Sequence, residues 1–356
     1  MILDECLDKE YTKLLCVGTG LIALDMIIEE SNNMNIEFLA GGSCGNVLTI
    51  LSYLGWESYP IAYLGEDAAA EKILSDLELW KVNTNFLYKC KKGNTPIIIE
   101  KFGINKKGKS WHRFEWNCPF CGVRFPKYKS IPLKEIREIS EETPKSEVFY
   151  FDKVRKSSLE IAKKYKKDGA LVVFEPSRIT NIGVFNQCLD IADIVKYSRE
   201  NLGSYRGVIE NKSVPLQIET LDKEGLMYKL NCNKKIKGEW KKIPAYSVTK
   251  IKDTVGAGDW CTAGIIHILG KKGQKGLGNA KEKDIRIALK FGQLLSAFKC
   301  YYKGARGCMY HTSEQYFNII LRSICEGKDP LDLIERSKKE VKFDQLINLC
   351  PFCGEK

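Results

Sequence analysis

The chain has 356 residues, 44% hydrophobic and 28% charged, and carries a formal charge of +11 at pH 7. That is long enough for one large α/β domain or two smaller ones, with the composition of an ordinary soluble globular protein. No apolar run approaches the ~20 residues of a membrane span, and Met1-Ile2-Leu3-Asp4-Glu5-Cys6 lacks the basic region and apolar block of a signal peptide, so a cytoplasmic protein is expected. The excess charge comes from lysine runs such as 106–109, 163–167 and 234–237. Such runs read as solvated faces and loops, with attraction of anionic substrates as the alternative.

Leu14 to Gly18 is a short apolar run ending in glycine, as a buried parallel strand would be. Asp25 follows as one acid in an apolar setting, which places it at a strand end beside a cleft or at a turn that exposes it. The glycine pair Gly41-Gly42 leads into an amphipathic helix that ends at Gly55. A second helix is expected from Ala68 to Leu79 and a strand at Phe86 to Tyr88. Thr95 to Phe102 and Ser110 to Trp116 read as two strands around a Gly/Lys-rich turn. His112 and Arg113 fit exposed positions on an alternating strand, and Arg113 is also a candidate for a substrate contact.

From Val148 onward short apolar strands alternate with helices: 148–151, then a helix near 157–167, then 170–174. This βαβ rhythm predicts a mainly parallel sheet. The stretch Asp253-Thr254-Val255-Gly256-Ala257-Gly258-Asp259 runs straight into the apolar helical sequence from Trp260. Small residues before a helix N-terminus let backbone N–H groups converge on an anion. Asp259 in that turn reads two ways, as a helix cap or as a carboxylate able to take a proton from an attacking hydroxyl. Ile285 to Tyr301 is helical by its apolar spacing.

These residues carry a family resemblance. DTVGAGD followed by an apolar helix resembles the C-terminal signature of the PfkB, or ribokinase-like, family of sugar and nucleoside kinases. Gly41-Gly42-Ser43-Cys44-Gly45-Asn46, continued by Leu64-Gly65-Glu66-Asp67, resembles its N-terminal signature about 200 residues away. The resemblance covers about residues 12–325 and implies a three-layer α/β/α fold, a mainly parallel central sheet and a small β-sheet lid (strands about 26–39 and 95–117) within a kinase domain of residues 1–328. It implies ATP and Mg²⁺ as cofactors, with Asp259 as catalytic base and Gly256, Ala257 and Gly258 as the anion cradle. Asp25, Gly41, Gly42 and Asn46 would grip a hydroxyl-bearing acceptor, a sugar or a nucleoside, with Arg113 reaching it from the lid.

The nucleotide side departs from the family pattern. In Lys196-Tyr197-Ser198-Arg199-Glu200-Asn201, the family's Asn/Ser-x-x-Glu becomes Ser198 with Asn201 at the third place and Glu200 one place short. Thr220 to Gly225 resembles the family's T-x-G-x-x-G loop with Asp222 replacing the first glycine. The resemblance still assigns Lys196, Ser198, Glu200, Thr220, Gly225, Asp253, Thr254 and Gly304 to the nucleotide and its metal. Glu175-Pro176-Ser177-Arg178 fits the family only loosely, and its role stays open.

One feature lies outside the family pattern. The pentapeptide CPFCG occurs twice, at Cys118 to Gly122 and at Cys350 to Gly354. Two CxxC turns supply the four thiolates, Cys118, Cys121, Cys350 and Cys353, that a closed structural zinc site requires. A redox dithiol and inert surface loops are the alternatives. Residues 118–130 would be a zinc-knuckle insert and 329–356 a tail carrying the second knuckle, joined within one chain or across a homodimer through the lid. A catalytically impaired, zinc-stapled protein binding nucleic acid or a protein partner is the reading from a different class.

Overall fold

A computed structural model describes residues 13–29, 35–90, 95–104, 110–231 and 238–339. Cys350 and Cys353 lie outside the described residues. The strands are β1 (Leu15–Thr19), β2 (Ala23–Glu29), β3 (Asn35–Gly41), β4 (Glu57–Gly65), β5 (Leu87–Cys90), β6 (Ile97–Ile104), β7 (Ser110–Glu115), β8 (Val148–Phe151), β9 (Leu171–Phe174), β10 (Ile194–Ser198), β11 (Leu216–Thr220), β12 (Leu226–Leu230) and β13 (Lys241–Ile243). The longer helices are α1 (Ser43–Tyr53), α2 (Ala68–Leu79), α3 (Lys156–Lys167), α4 (Ile182–Ile191), α5 (Ala257–Leu269), α6 (Glu282–Lys299) and α7 (Glu314–Cys325).

Nine strands form the central sheet in the order β13-β12-β11-β10-β9-β8-β1-β4-β5. Every pair from β11 to β5 is parallel, and only β12 and β13 run antiparallel at one edge. The short strands are apolar on both faces because both are covered. Val148 and Tyr150 of β8 pack with α1, α5, α6 and α7, while Phe149 and Phe151 pack with α3 and α4. The predicted three layers result, and all parallel strands end on one side, where an open α/β sheet places its ligands.

β3-β2-β6-β7 make a separate four-stranded sheet, the lid. Its outer face (Leu24, Met26, Ile28, Ile97, Ile99) packs on Ala70, Ile73 and Leu77 of α2, together with Cys118 and Phe125. Its inner face, by strand alternation, carries Asp25, Ile27, Leu39, Ile98, Glu100 and Phe102. Asp67 ties helix to lid: it caps α2 through the Ala70 amide at 2.9 Å and accepts the Thr95 amide, just before β6, at 2.8 Å.

Asp25 differs from the sequence expectation. It is neither at a strand end nor exposed by a turn, but in the interior of β2, paired with Leu39 and Ile98 and 5% exposed. The run ALDMIIE is apolar at nearly every position because α2 covers one face and the cleft the other, so no alternation marks the strand.

Candidate functional site

The site is built on the N-terminus of α5. Gly256 caps the helix in the left-handed region, φ 77°, and a Cβ there would lie 2.6 Å from Cα of Ala305, so only glycine fits. The Ala257 amide donates to Thr254 O at 3.1 Å, and the Trp260 amide to Gly256 O at 3.0 Å. The first-turn amides of Gly258 and Asp259 are left aimed off the helix end, the arrangement that receives an anion. Trp260, fully buried, donates from Nε1 to Ala305 O at 3.0 Å and locks the Gly304-Ala305 turn to the helix.

Asp259 is half-buried and accepts a hydrogen bond on Oδ2 from Asn46 Nδ2 at 2.8 Å, across 213 residues of sequence. Burial pushes its carboxyl up to about 8, with the Glu175 carboxylate adding to the rise and the Asn46 and Lys196 contacts opposing it. Beneath the turn, Lys196 is 3% exposed and ion-pairs with Glu175, and it donates to Gly258 O at 3.2 Å. Thr262 and Tyr150 donate to the other Glu175 oxygen at 2.6 and 3.1 Å. Burial alone would lower the Lys196 ammonium, yet Glu175 holds it above its ordinary value, so a fixed cation stands under the cradle.

Asp152, directly after β8, accepts the Leu21 amide at 3.0 Å and lies 3.0 Å from the Lys153 ammonium. Burial raises its carboxyl as well. On the lid side, Asp25 stands against Gly41 so closely that a Cβ on Gly41 would fall 1.8 Å from Oδ2. Burial pushes Asp25 up to about 7, with Arg306 opposing and Asp76 adding to the rise. Glu100, 2% exposed on the same inner face, has one carboxyl oxygen with no hydrogen-bond partner and is raised well above the carboxylate range by burial and by Asp25. Arg306, 1% exposed, donates from Nε to Asn46 Oδ1 at 3.2 Å and from Nη2 to Asp76 at 2.5 Å and to Ala40 O.

Of the residues expected to meet the nucleotide, Ser198 and Thr220 are paired neighbours at the carboxyl ends of β10 and β11. Ser198 caps the short helix Arg199–Leu202 by accepting the Asn201 amide at 3.1 Å, and Glu200 is exposed. Asp222 is exposed with φ 54°, pointing its acid to solvent, and Gly225 follows with φ 100° at the entry to β12. Thr254 is exposed beside the cradle. Asp253 is held inside the fold instead: it accepts from Lys299 Nζ at 3.0 Å, the Gly304 amide at 2.9 Å and the Val255 amide at 3.0 Å. It braces the turns at Gly256 and Gly304 against each other.

Asp259, Asn46, Asp25, Gly41 and the cradle are thus brought together. Arg113 pairs with Lys101, on the face of the lid opposite Asp25, where it bridges Glu115 at 2.5 Å and lies 5.5 Å from the Trp111 ring centroid. His112 is on the inner face. The first CPFCG forms a tight turn, with the Gly122 amide on Cys118 O at 2.9 Å and the Cys118 amide on Val123 O at 2.8 Å. Among the described residues no group of three or more His, Cys, Asp or Glu is placed to hold a metal. Asp152, Glu100, Asp76 and Arg306 were not singled out by sequence reasoning. Acids closing strands β8 and β9 were a usable signal for Asp152 and Glu175, whereas the convergence of Asp76, Arg306 and Asn46 requires three distant elements to meet.

A mainly parallel sheet, a β lid and an anion-binding helix start carrying a carboxylate define a phosphotransferase of the carbohydrate kinase class. Residues 11–101 match the sequence model of the pfkB family carbohydrate kinases. An uncharacterized sugar kinase of Pyrococcus horikoshii is 27% identical over 314 residues, 82% of this chain and 91% of that one. Among solved structures, the ATP-bound fructokinase of Xylella fastidiosa superposes with a TM-score of 0.64 at 15% identity, covering 91% of this chain and 99% of that one. Aminoimidazole riboside kinase of Salmonella enterica, with its riboside and an ATP analogue, gives 0.64 at 18%, covering 87% and 99%. These similarities support a carbohydrate kinase of the pfkB type.

Proposed function

We propose that this protein transfers the γ-phosphoryl group of ATP to a hydroxyl of a neutral sugar or sugar-like acceptor, with Asp259 as general base. The observation that carries the reading is the Asp259 carboxylate standing in the same helix turn as the outward-aimed amides of Gly258 and Asp259. The acceptor hydroxyl would lie between Asp259 and the phosphoryl group. As oxygen attacks phosphorus, its proton passes to Asp259, while the α5 amides and the Lys196 ammonium below them stabilise charge on the transferring oxygens. Asp25 and the glycines at 41 and 42 would grip further acceptor hydroxyls, and Lys196, Ser198, Thr220 and Thr254 would line the phosphate path. Magnesium entering with ATP supplies charge neutralisation. Ser198 and the exposed Glu200 would be oxygen donors for that ion, a sparse set suited to one that keeps its waters.

A sugar stands ahead of a nucleoside, and an uncharged one ahead of a sugar phosphate or sugar acid. Asp25, Glu100 and Asp259 all face the acceptor side, while Arg306 and Lys299 are occupied by Asp76 and Asp253. A wall of carboxyl groups with no free cation among the described residues offers hydrogen bonds to neutral hydroxyls and nothing to neutralise an anionic group. The test is phosphorylation across a panel of neutral sugars, nucleosides and sugar phosphates by wild type and Asp259→Asn. Turnover of a neutral acceptor, lowered about 10³-fold in the variant, is expected from the usual worth of a positioned base. Unchanged turnover in Asp259→Asn would remove Asp259 as base. Salt-dependent nucleic-acid binding with no turnover would favour the binding-protein reading.

The two CPFCG turns are proposed as one structural zinc site formed by Cys118, Cys121, Cys350 and Cys353. The Cys118 to Gly122 turn supports half of it: its backbone closes on itself, and Cys118 and Cys121 pack beside the lid core rather than standing free in solvent. These thiolates would hold the metal, which would fix the tail against the lid.

A further inference from the structure

Asn46 stands between two groups that leave its amide only one orientation. Arg306 has donors and no acceptor, so the atom facing Nε must be the amide oxygen, at 3.2 Å. An ionised carboxylate has acceptors only, so the atom facing Asp259 must be the amide nitrogen, at 2.8 Å. Arg306 is itself immobilised. It is 1% exposed, and its Nη2 reaches both Asp76, at 2.5 Å, and the Ala40 carbonyl. Asp76 is held in turn by the Ala40 amide at 2.7 Å and the Tyr310 hydroxyl. The row Asp76, Arg306, Asn46, Asp259 draws on α2, the turn after α6, α1 and α5, and ends on the carboxylate proposed as base.

We propose that Arg306 is a positioning residue for phosphoryl transfer: anchored by Asp76, it fixes the Asn46 amide so that its nitrogen donates to Asp259, aims that carboxyl and favours its ionised form. The inference rests on the reading of Asp259 as base. Without the guanidinium, the Asn46 amide can turn over. Its oxygen then faces Asp259, an arrangement tolerated only when Asp259 is protonated. The other groups facing Asp259 are Glu175 and Asp152, which favour the protonated form, Lys196, which favours the charged form, and Glu100, Cys44 and Tyr150, each within electrostatic reach. Asn46 and Lys196 therefore both oppose the rise and favour the ionised base, and only Asn46 depends on Arg306. Lysine cannot replace the fork, because one ammonium on a flexible stem does not reach Asp76 and Asn46 in fixed geometry.

The experiment compares kcat and KM against pH, with ATP and the best neutral acceptor, for wild type, Arg306→Lys, Asp259→Asn and a core control, Ile324→Val, far from the site. Arg306→Lys is expected to lower kcat at pH 7 about tenfold and to move the acidic limb of the kcat profile up by roughly one pH unit, the scale of one lost charge-assisted hydrogen bond. The KM for ATP should stay near wild type. Ile324→Val should lower Tm and leave the limb in place, which separates positioning from general loosening. Should Arg306→Lys fail to fold, Asp76→Asn/Arg306→Gln removes both charges together, leaves neither unpaired, and is read identically. In wild type, the Asn46 side-chain amide protons are expected to exchange slowly with solvent, and exchange at the rate of an exposed amide would count against a fixed amide. A wild-type pH profile in a folded Arg306→Lys, with Asp259→Asn inactive, overturns the positioning role while leaving the base assignment intact. An active Asp259→Asn overturns the base assignment itself.

Discussion

Carboxyl groups inside this cleft set a pH dependence opposite to that of surface ion pairs. Burial raises Asp25 to about 7 and Asp259 to about 8, whereas an unfolded aspartate titrates near about 4. A group that holds its proton more tightly when folded stabilises the fold below its unfolded value and loses that contribution as pH climbs through its folded value. Thermal stability should therefore decline between about pH 4 and about 8. The partly exposed carboxylates lowered by lysine partners, such as Glu57 held by Lys13, act below this window. Replacing both Asp25 and Asp259 by asparagine should flatten the decline and raise Tm at pH 8 above wild type. A Tm that falls equally in the double variant would show that the slope arises elsewhere. The substitution proposed to remove the base is thus expected to stabilise the protein, the usual relation where a site stores unfavourable burial.

At the scale of elements, the α5 start is the most demanding feature. Gly256→Ala would have to hold φ 77° with a side chain pressed into the backbone of Ala305. Strain and displacement together predict a loss of about 2 kcal/mol or more. Because the Gly304-Ala305 turn moves with it, activity should fall further than stability alone explains, as denaturant midpoints beside kcat/KM would reveal. This element was legible in the sequence, since small residues followed by an apolar helix can do little else, and the Gly41 to Asn46 helix start was legible for the same reason. The βαβ rhythm likewise gave the parallel sheet. What could not be read was pairing and facing. Nothing in ALDMIIE says that Asp25 lies mid-strand with Glu100 as a near neighbour, because their proximity depends on the parallel register of β2 with β6. Arg113 was placed on the lid by pattern, but a one-residue difference decides which face of a strand a side chain occupies. Arg306 carried no local signal, as its partners lie 230 and 260 residues away.

For the whole molecule, the proposed zinc site is the feature that reaches beyond the fold. The lid core contains Cys118 on its outer face, so a metal joining that turn to the C-terminal cysteines would tether the tail to the lid sheet. One zinc per chain is expected by elemental analysis. Chelation or Cys118→Ser should release it and lower the first thermal transition, and molecular mass measured before and after separates a site within one chain from one shared across a dimer. Absence of zinc from protein purified under reducing conditions would end the proposal.

The grasp of Asp76 and Arg306 on Ala40 has a mechanical meaning. Both backbone groups of Ala40 are bound, its amide by Asp76 and its carbonyl by Arg306, at the carboxyl end of β3 just before the Gly41-Gly42 junction. Alongside the Asp67 contact to Thr95 and the Lys303–Glu29 ion pair, this grasp anchors the lid to the body at the end of β3 nearest Asn46. Of these ties, the one at Ala40 is the most deeply buried and the exposed ion pair at the far end of β2 the most easily exchanged for water, so the corner beside Asn46 is the one that the lid gives up last.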